Sequence, residues 1–258
     1  MDPLVLCLAF FVIATLYASA GFGGGSSYLA VLALFGVAPA VMRPLALLCN
    51  LAVTGWSSAA FARARVTPWS RALPLIAASV PAAFLGGRVT LPQEHYLLLL
   101  GGLLMVAATL MLFGNSVTLS GGAAGEKTAA RYGVALSLAI GAGVGFASGV
   151  VGIGGGIFLS PVLFLTRWAA ARAIAATTSL FIALNSAAGL AGQLSVGLQL
   201  EYRLSALLLL AVVAGGALGT RLSLRSFTPA TIRKLAAALI LLVGVRLVVS
   251  NWHILTLP

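Results

Sequence analysis

The chain contains the same glycine-rich frame twice, each time inside a long apolar stretch. GFGGG at 21–25 corresponds to GIGGG at 152–156. Glycines in succession interrupt a helix, and non-helical backbone at membrane depth is tolerated only where it is buried in protein or lines a cavity. Interrupted helices at matching positions of two halves are the sequence feature that points to a transporter's binding site. The frame therefore predicts two repeats, each with a helix break at its functional centre.

The composition places the chain in a lipid bilayer. Hydrophobic residues make up 61% and charged residues 7% of the 258 residues, and the mean hydropathy is +1.12. A soluble domain would carry about 25% charged residues. Since a spanning helix uses about 20 residues, the chain has room for roughly eight membrane segments. We expect an all-α polytopic integral membrane protein.

The charge is basic but dispersed. The chain has 15 Lys and Arg against four acids, which gives a net charge of +11. The cations lie in short loops without a basic run, so they indicate membrane orientation and not nucleic-acid binding. None of the acids lies inside a predicted span, which argues against a carboxylate proton relay or an acidic cation site. The acids are Asp2, Glu94, Glu126 and Glu201.

The apolar segments divide the chain into a first repeat at 1–113, a polar inter-repeat loop at 114–131 and a second repeat at 132–258. In the first repeat the segments are predicted at 4–20, 28–35, 44–62, 70–88 and 95–113. In the second repeat they are predicted at 132–150, 158–165, 172–193, 202–220 and 231–250.

The segment after each glycine run is too short to cross the membrane. At 1.5 Å per residue, the piece at 28–35 spans about 12 Å of a hydrocarbon core of about 30 Å. It is predicted to fold back on the preceding segment as a re-entrant hairpin. Each repeat then contributes one hairpin and three transmembrane helices, and an odd number of crossings makes the two repeats inverted.

Loop cations orient this arrangement. One face carries eleven cations: Arg63, Arg65, Arg71, Lys127, Arg131, Arg167, Arg172, Arg221, Arg225, Arg233 and Lys234. The other face carries four: Arg43, Arg88, Arg203 and Arg246. By the positive-inside rule the first face is cytoplasmic, so both termini are predicted to lie on the outer side of the membrane.

The two repeats can be aligned by hand. An offset of 131 residues superposes the glycine runs, and an offset of 129 places Arg43 on Arg172 and Asn50 on Ser179.

The helix breaks are the candidate binding site for a small anion. The first N–H groups of each second arm are unpaired and lie at the positive end of the helix dipole, where anions bind. Glycine lets a ligand approach the main chain closely, and polar residues of the following helices face the same depth. The candidate binding residues are Gly23, Gly24, Gly25, Ser26, Ser27, Asn50, Gly154, Gly155, Gly156, Thr177, Thr178, Ser179 and Asn185.

Two structural alternatives stay open for these residues. Small residues also serve close helix packing, and Ser, Thr and Asn also form interhelical hydrogen bonds. The halves of the site are expected to be unequal, because Ser26 and Ser27 follow the first run whereas Ile157 and Phe158 follow the second.

Other chemistry finds little support. Arg43 and Arg172 either attract anions at the two entrances or anchor the helices at the interface. His95 and His253 belong to no HExxH motif or catalytic grouping, and no cofactor is expected. Cys7 and Cys49 lack CxxC or His neighbours, so neither a disulfide nor a metal site is predicted.

The glycine frames, together with SGVVGIGGG at 148–156 and ATTSL at 176–180, resemble the TauE/SafE family of sulfite-exporter-like membrane permeases over nearly the whole chain. The resemblance implies transport of small sulfur-containing oxyanions such as sulfite, sulfoacetate or related organosulfonates across the bacterial inner membrane, into the periplasm if the direction is export, which we expect. In the family a Thr-Asn-Lys stretch is usual where this chain has Cys49-Asn50-Leu51, so only Asn50 matches. The alternatives are an importer or channel for another small anion, or a membrane assembly factor that does not transport. The sequence sets no oligomeric state.

The predicted topology can be tested with a reporter fused after Pro258. We expect a periplasm-dependent reporter to be active there, because eleven cations hold the opposite face in the cytoplasm. The same reporter fused in the loop at 64–68 serves as the control and should be inactive. A cytoplasmic C-terminus would contradict the inverted topology.

Overall fold

The computed structural model describes residues 3–19, 23–113, 133–166, 168–198, 200–222 and 229–252. This part of the chain forms ten α-helices and no strand. The helices are α1 (Pro3–Ser19), α2 (Gly25–Leu34), α3 (Pro39–Arg63), α4 (Trp69–Arg88), α5 (Gln93–Phe113), α6 (Val134–Val151), α7 (Gly156–Leu165), α8 (Ala171–Ser195), α9 (Tyr202–Leu222) and α10 (Pro229–Asn251). The all-helical prediction is confirmed. Several predictions fall outside the described residues. They concern the inter-repeat loop at 114–131, the first two residues of the first glycine frame at 21–22, and the cations Lys127, Arg131, Arg167 and Arg225.

The predicted segments lie within a few residues of the observed helices. The largest difference is at α3, which begins at Pro39 instead of residue 44. Proline is favoured in the first helical turn, where its missing N–H is not needed, so Pro39 starts the helix and Pro44 lies inside it. The short helices α2 and α7 begin inside the glycine runs, at Gly25 and Gly156.

The first glycine run turns the chain back on itself. The rings of Phe10 and Tyr28 stack with centroids 4.6 Å apart, and the hydroxyls of Tyr17 and Ser27 are hydrogen-bonded at 2.9 Å. In a continuous helix, residues 10 and 28 would be separated by about 27 Å. The helices α1 and α2 therefore form a hairpin of one long and one short arm.

The second glycine run reverses the chain through left-handed backbone. Gly152, Gly154 and Gly155 have φ of +89°, +84° and +81°, a conformation that glycine adopts without steric penalty. Gly152 ends α6, and its N–H donates to the carbonyl of Ser148. Side chains of α7 then join the same apolar cluster as Val144 of α6.

Glycines bring the two repeats into backbone contact. On α6, Gly141, Gly145 and Gly149 lie against α4, and a Cβ at any of them would overlap a main-chain oxygen there. The oxygens belong to Leu75, Ser79 and Ala83. The residue numbers rise together along both helices, so α4 and α6 run parallel.

The corresponding pair in the other half of the bundle is α1 and α9. Gly215 and Gly219 of α9 meet the carbonyl oxygens of Phe11 and Thr15 in the same parallel sense. The central helices α3 and α8 run antiparallel. Leu47 of α3 lies beside Gly189 of α8. Farther along α3, Thr54 lies at the same level as Ile182 of α8, because both flank Gly23.

These directions are what a two-fold axis in the membrane plane requires. Equivalent helices such as α3 and α8 then run antiparallel, and every contact between repeats has a counterpart, as α4–α6 has in α9–α1. The helix directions thus support the inverted-repeat interpretation, whose orientation in a membrane remains a prediction.

The structure changes the register between α3 and α8. Both helices have 25 residues, and Asn50 and Ile182 are each the twelfth. Gly23 contacts Asn50 and Thr54, and its counterpart Gly154 contacts Ile182 and Ser186. The offset is therefore 132 and not 129: Asn50 corresponds to Ile182, and Thr54 to Ser186. Aligning Arg43 with Arg172 gave the wrong offset, because the connection before α8 differs in length from the connection before α3.

Six helices are long and apolar enough to cross a membrane, judged by length and composition over the described residues. They are α3, α4, α5, α6, α8 and α9. Large apolar side chains are exposed on the outward faces, with Leu4 76%, Leu210 70% and Val249 70% accessible. Polar side chains such as Asn50, Thr178 and Gln193 are fully buried. Apolar residues outside and polar residues inside are the pattern of a multi-pass protein in lipid.

Replacing Gly145 with Ala should destabilise the fold, because the new Cβ would meet the backbone of Ser79. We expect a loss of about 1–3 kcal/mol, as for other overpacked sites, measured by thermal unfolding in detergent. Gly143→Ala is the matched control on the same helix, since nothing lies within 4 Å of its added Cβ. Equal melting temperatures for the two variants would contradict the α4–α6 contact.

Candidate functional site

The two glycine runs lie against each other halfway along α3 and α8. A Cβ added to Gly25 would overlap both the side chain of Asn50 and the carbonyl oxygen of Ile153. One added to Gly23 would lie 2.8 Å from Asn50 Oδ1, and one added to Gly154 would lie 2.7 Å from Asn50 Nδ2. The side chain of Asn50 therefore lies between the runs, and this close contact of the two glycine runs around Asn50 is here called the glycine cradle.

Asn50 is fully buried and joins the repeats by one hydrogen bond. Its Nδ2 donates to the carbonyl of Ile153 at 2.8 Å. Its Oδ1 has no hydrogen-bond partner among the described residues. Thr54, one turn farther along α3, donates its hydroxyl to the main-chain oxygen of Asn50 at 2.7 Å and is thereby occupied.

Side chains of α8 line the other side of the cradle. Ser186 Oγ lies 2.8 Å from the position that a Cβ of Gly154 would take, and the methyl carbon of Thr178 lies 3.2 Å from that of Gly156. Thr178, Ile182 and Ser186 are spaced four residues apart, so they share one face of the helix.

Several buried polar groups near the centre of the bundle have no hydrogen-bond partner in the described part of the chain. They are Tyr28, Asn50 Oδ1, Ser148, Thr177, Thr178, both polar atoms of Asn185, and Ser186. An unpaired buried polar group costs about 1–3 kcal/mol, so such groups are normally satisfied by water or a ligand. Their concentration beside the glycine runs indicates a polar binding site.

Both short helices begin at the cradle without a side-chain cap. Gly24 and Gly155 are the N-cap residues of α2 and α7, and neither can supply a capping oxygen. The positive ends of two helix dipoles thus converge on the same buried space. Neutral donors and dipoles together favour an anionic ligand.

The structure gives the predicted residues unequal roles. Gly23, Gly25, Asn50, Gly154, Gly156 and Thr178 form the cradle or contact it. A Cβ on Gly24 would instead meet Ile13 and Tyr28, and one on Gly155 would meet Phe181. Ser27 is bonded to Tyr17 within the first hairpin, and Ser26 is buried beside it. Thr177, Ser179 and Asn185 are buried on α8, but the atoms nearest the second glycine run come from Thr178, Ile182 and Ser186.

Arg43 and Arg172 are not equivalent in the structure. Arg43 is only 4% exposed; its Nη2 donates to the carbonyl of Val89 at 3.1 Å, and its guanidinium lies 5.5 Å from the ring centroid of Tyr96. Arg172 is exposed near the start of α8. Arg43 therefore holds together the ends of three helices, α3, α4 and α5, instead of standing free at an entrance.

Sequence reasoning assigned no role to three residues beside the cradle. Ser148 lies beside Gly155, Tyr28 beside Gly24, and Thr54 beside Gly23. Ser148 and Tyr28 each lie four residues from a glycine of the run, on the arms of the hairpins, so helical periodicity around each break was the available signal. Thr54 becomes visible only when α3 is placed against the run.

The described residues contain no group of three His, Cys, Asp or Glu side chains that could hold a metal ion. The atoms nearest the cradle glycines are neutral. Ligand binding there depends on hydrogen bonds and dipoles.

Comparison with known proteins agrees with this geometry. The family described as sulfite exporter TauE/SafE matches residues 6–247. The chain is also 35% identical over 250 residues to a probable membrane transporter protein, y4hK, of Sinorhizobium fredii (strain NBRC 101917 / NGR234), covering 95% of this chain and 98% of that protein. No solved structure matches the chain. The buried glycine cradle thus lies in a multi-pass membrane transporter, and the chain belongs to the sulfite exporter TauE/SafE family.

Proposed function

We propose that the protein exports a small sulfur-containing oxyanion, such as sulfite or an organosulfonate, across the bacterial inner membrane by alternating access. The observation that carries the proposal is the convergence of both glycine runs on Asn50 at the centre of the bundle. A substrate held there contacts both repeats at once. Relative movement of the repeats would then open the cradle to one face or the other.

The chemistry of the cradle supports an oxyanion. Serine and threonine hydroxyls and uncapped helix N-termini donate to oxygen atoms, and glycine allows those oxygens to approach the main chain. Asn50, Thr178 and Ser186 are all fully buried, so these hydrogen bonds would form in a low-dielectric environment where they are strong.

The membrane potential supports export as the direction. An anion leaving a cell that is negative inside moves downhill by about 2.3 kcal/mol per charge per 100 mV. Export therefore needs no coupling ion, whereas uptake would. The cytoplasmic cations and periplasmic termini of the inverted topology belong to the same proposal.

A larger residue in place of a cradle glycine should strongly reduce transport. In Gly154→Ala the added methyl would lie 2.8 Å from Ser186 Oγ and 2.7 Å from Asn50 Nδ2. Such overlap costs about 1–3 kcal/mol, so uptake of labelled sulfite into inside-out vesicles should fall roughly tenfold or more.

Gly197→Ala is the matched control for backbone strain. Gly197 has φ of +86° against +84° for Gly154, but nothing lies within 4 Å of its added Cβ. The control should retain most of the flux. Equal flux in both variants would place the substrate elsewhere, and wild-type uptake no greater than that of protein-free vesicles would count against sulfite transport.

A further inference from the structure

We infer that the cradle selects oxyanions that carry a hydrogen-bond donor of their own, and that the amide oxygen of Asn50 recognises this donor. The inference rests on the proposed transport of an anion and narrows its substrate class. The ligands are monoanions with an O–H or N–H group, such as hydrogen sulfite or a hydroxysulfonate. Donor-free dianions such as sulfite, sulfate and sulfoacetate are disfavoured.

The orientation of the Asn50 amide is fixed by its partner. The carbonyl oxygen of Ile153 only accepts hydrogen bonds, so the atom 2.8 Å from it must be the NH₂ group. Rotating the amide by 180° would place two acceptors together. Oδ1 therefore points to the first repeat's side of the cradle and remains an acceptor.

This acceptor is buried and unsatisfied beside the first glycine run. Asn50 is fully buried, and Oδ1 has no hydrogen-bond partner among the described residues. It lies 2.8 Å from the place where any larger residue at position 23 would have its Cβ. The nearby hydroxyl of Thr54 is already used on the main chain of Asn50.

The other side of the cradle has the opposite polarity. The hydroxyl of Ser186 lies there and has no hydrogen-bond partner among the described residues, and α7 directs its N-terminus there. A ligand with oxygens at one end and an O–H or N–H at the other satisfies both sides. A fully deprotonated oxyanion would place an oxygen against Oδ1, and two acceptors repel each other.

The two repeats cannot exchange these roles. The counterpart of Asn50 in α8 is Ile182, which has no polar atom. The amide oxygen therefore has no counterpart at this position of α8, so the two repeats offer a ligand different groups and favour one binding orientation.

A matched pair of ligands tests the selection. Isethionate and 1-propanesulfonate are monoanions of the same shape that differ by a hydroxyl in place of a methyl group. Dissociation constants come from the dependence of the melting temperature on ligand concentration, using the whole protein in detergent. We expect isethionate to bind roughly tenfold more tightly, as for one hydrogen bond to a buried acceptor, and sulfoacetate to bind more weakly than isethionate.

Variants link the preference to Asn50. In Asn50→Ala the ratio between the two sulfonates should fall to about one, whereas Ser57→Ala, which removes a hydroxyl farther along the same helix that bonds only the main chain, should keep the wild-type ratio. If Asn50→Ala does not fold, the wild-type ratio decides alone. A ratio of one in the wild type, or an unchanged ratio in Asn50→Ala, overturns the inference.

Sulfite binding distinguishes a failure of this inference from a failure of the proposed function. If neither sulfonate fits, sulfite affinity is measured across neutral pH, where the protonated monoanion gives way to the donor-free dianion. The affinity should fall as the pH rises, and a constant or rising affinity overturns the inference. If none of these anions shifts the melting temperature, the proposed function fails instead.

Discussion

The close approach of the two repeats along glycine faces is the constraint on which the rest of the structure depends. Where α6 meets α4, and α9 meets α1, there is no room for a Cβ between the backbones. In lipid no hydrophobic force drives helices together, so packing of this kind supplies much of the association. Because both contacts join one repeat to the other, they also fix where the two hairpins end.

The broken helices are possible only because of that packing. Unpaired backbone groups in lipid each cost several kcal/mol, but the glycine runs are enclosed by α3 and α8 and touch each other through Gly25 and Ile153. Asn50 adds a hydrogen bond across this contact. The same enclosure leaves hydroxyl and amide groups unpaired around the cradle, and these groups are the reason for proposing a binding site there and not merely a packing contact.

The repeats have kept their architecture while their chemistry has diverged. The second glycine run uses left-handed backbone at three positions, whereas Gly24 in the first has φ of −91°. Asn50 of the first repeat corresponds to Ile182 of the second, and Thr54 corresponds to Ser186. In the proposed mechanism, a two-fold arrangement with unequal side chains would let the site open to either face and yet bind its ligand in a single orientation.

The sequence by itself determined the class of protein, the helices and the breaks. Membrane-length helices and helix breaks depend on local sequence, so composition and the spacing of glycines were enough to predict them. The glycines of the candidate site were predicted in the same way. Only the tertiary structure decided the register of α3 against α8, the burial of Arg43 against Tyr96, and the choice of Thr178 and Ser186 over Thr177 and Ser179. These depend on loop lengths and on the close helix contacts that rotate each face toward or away from the cradle, and such long-range packing leaves no periodic trace in a single sequence.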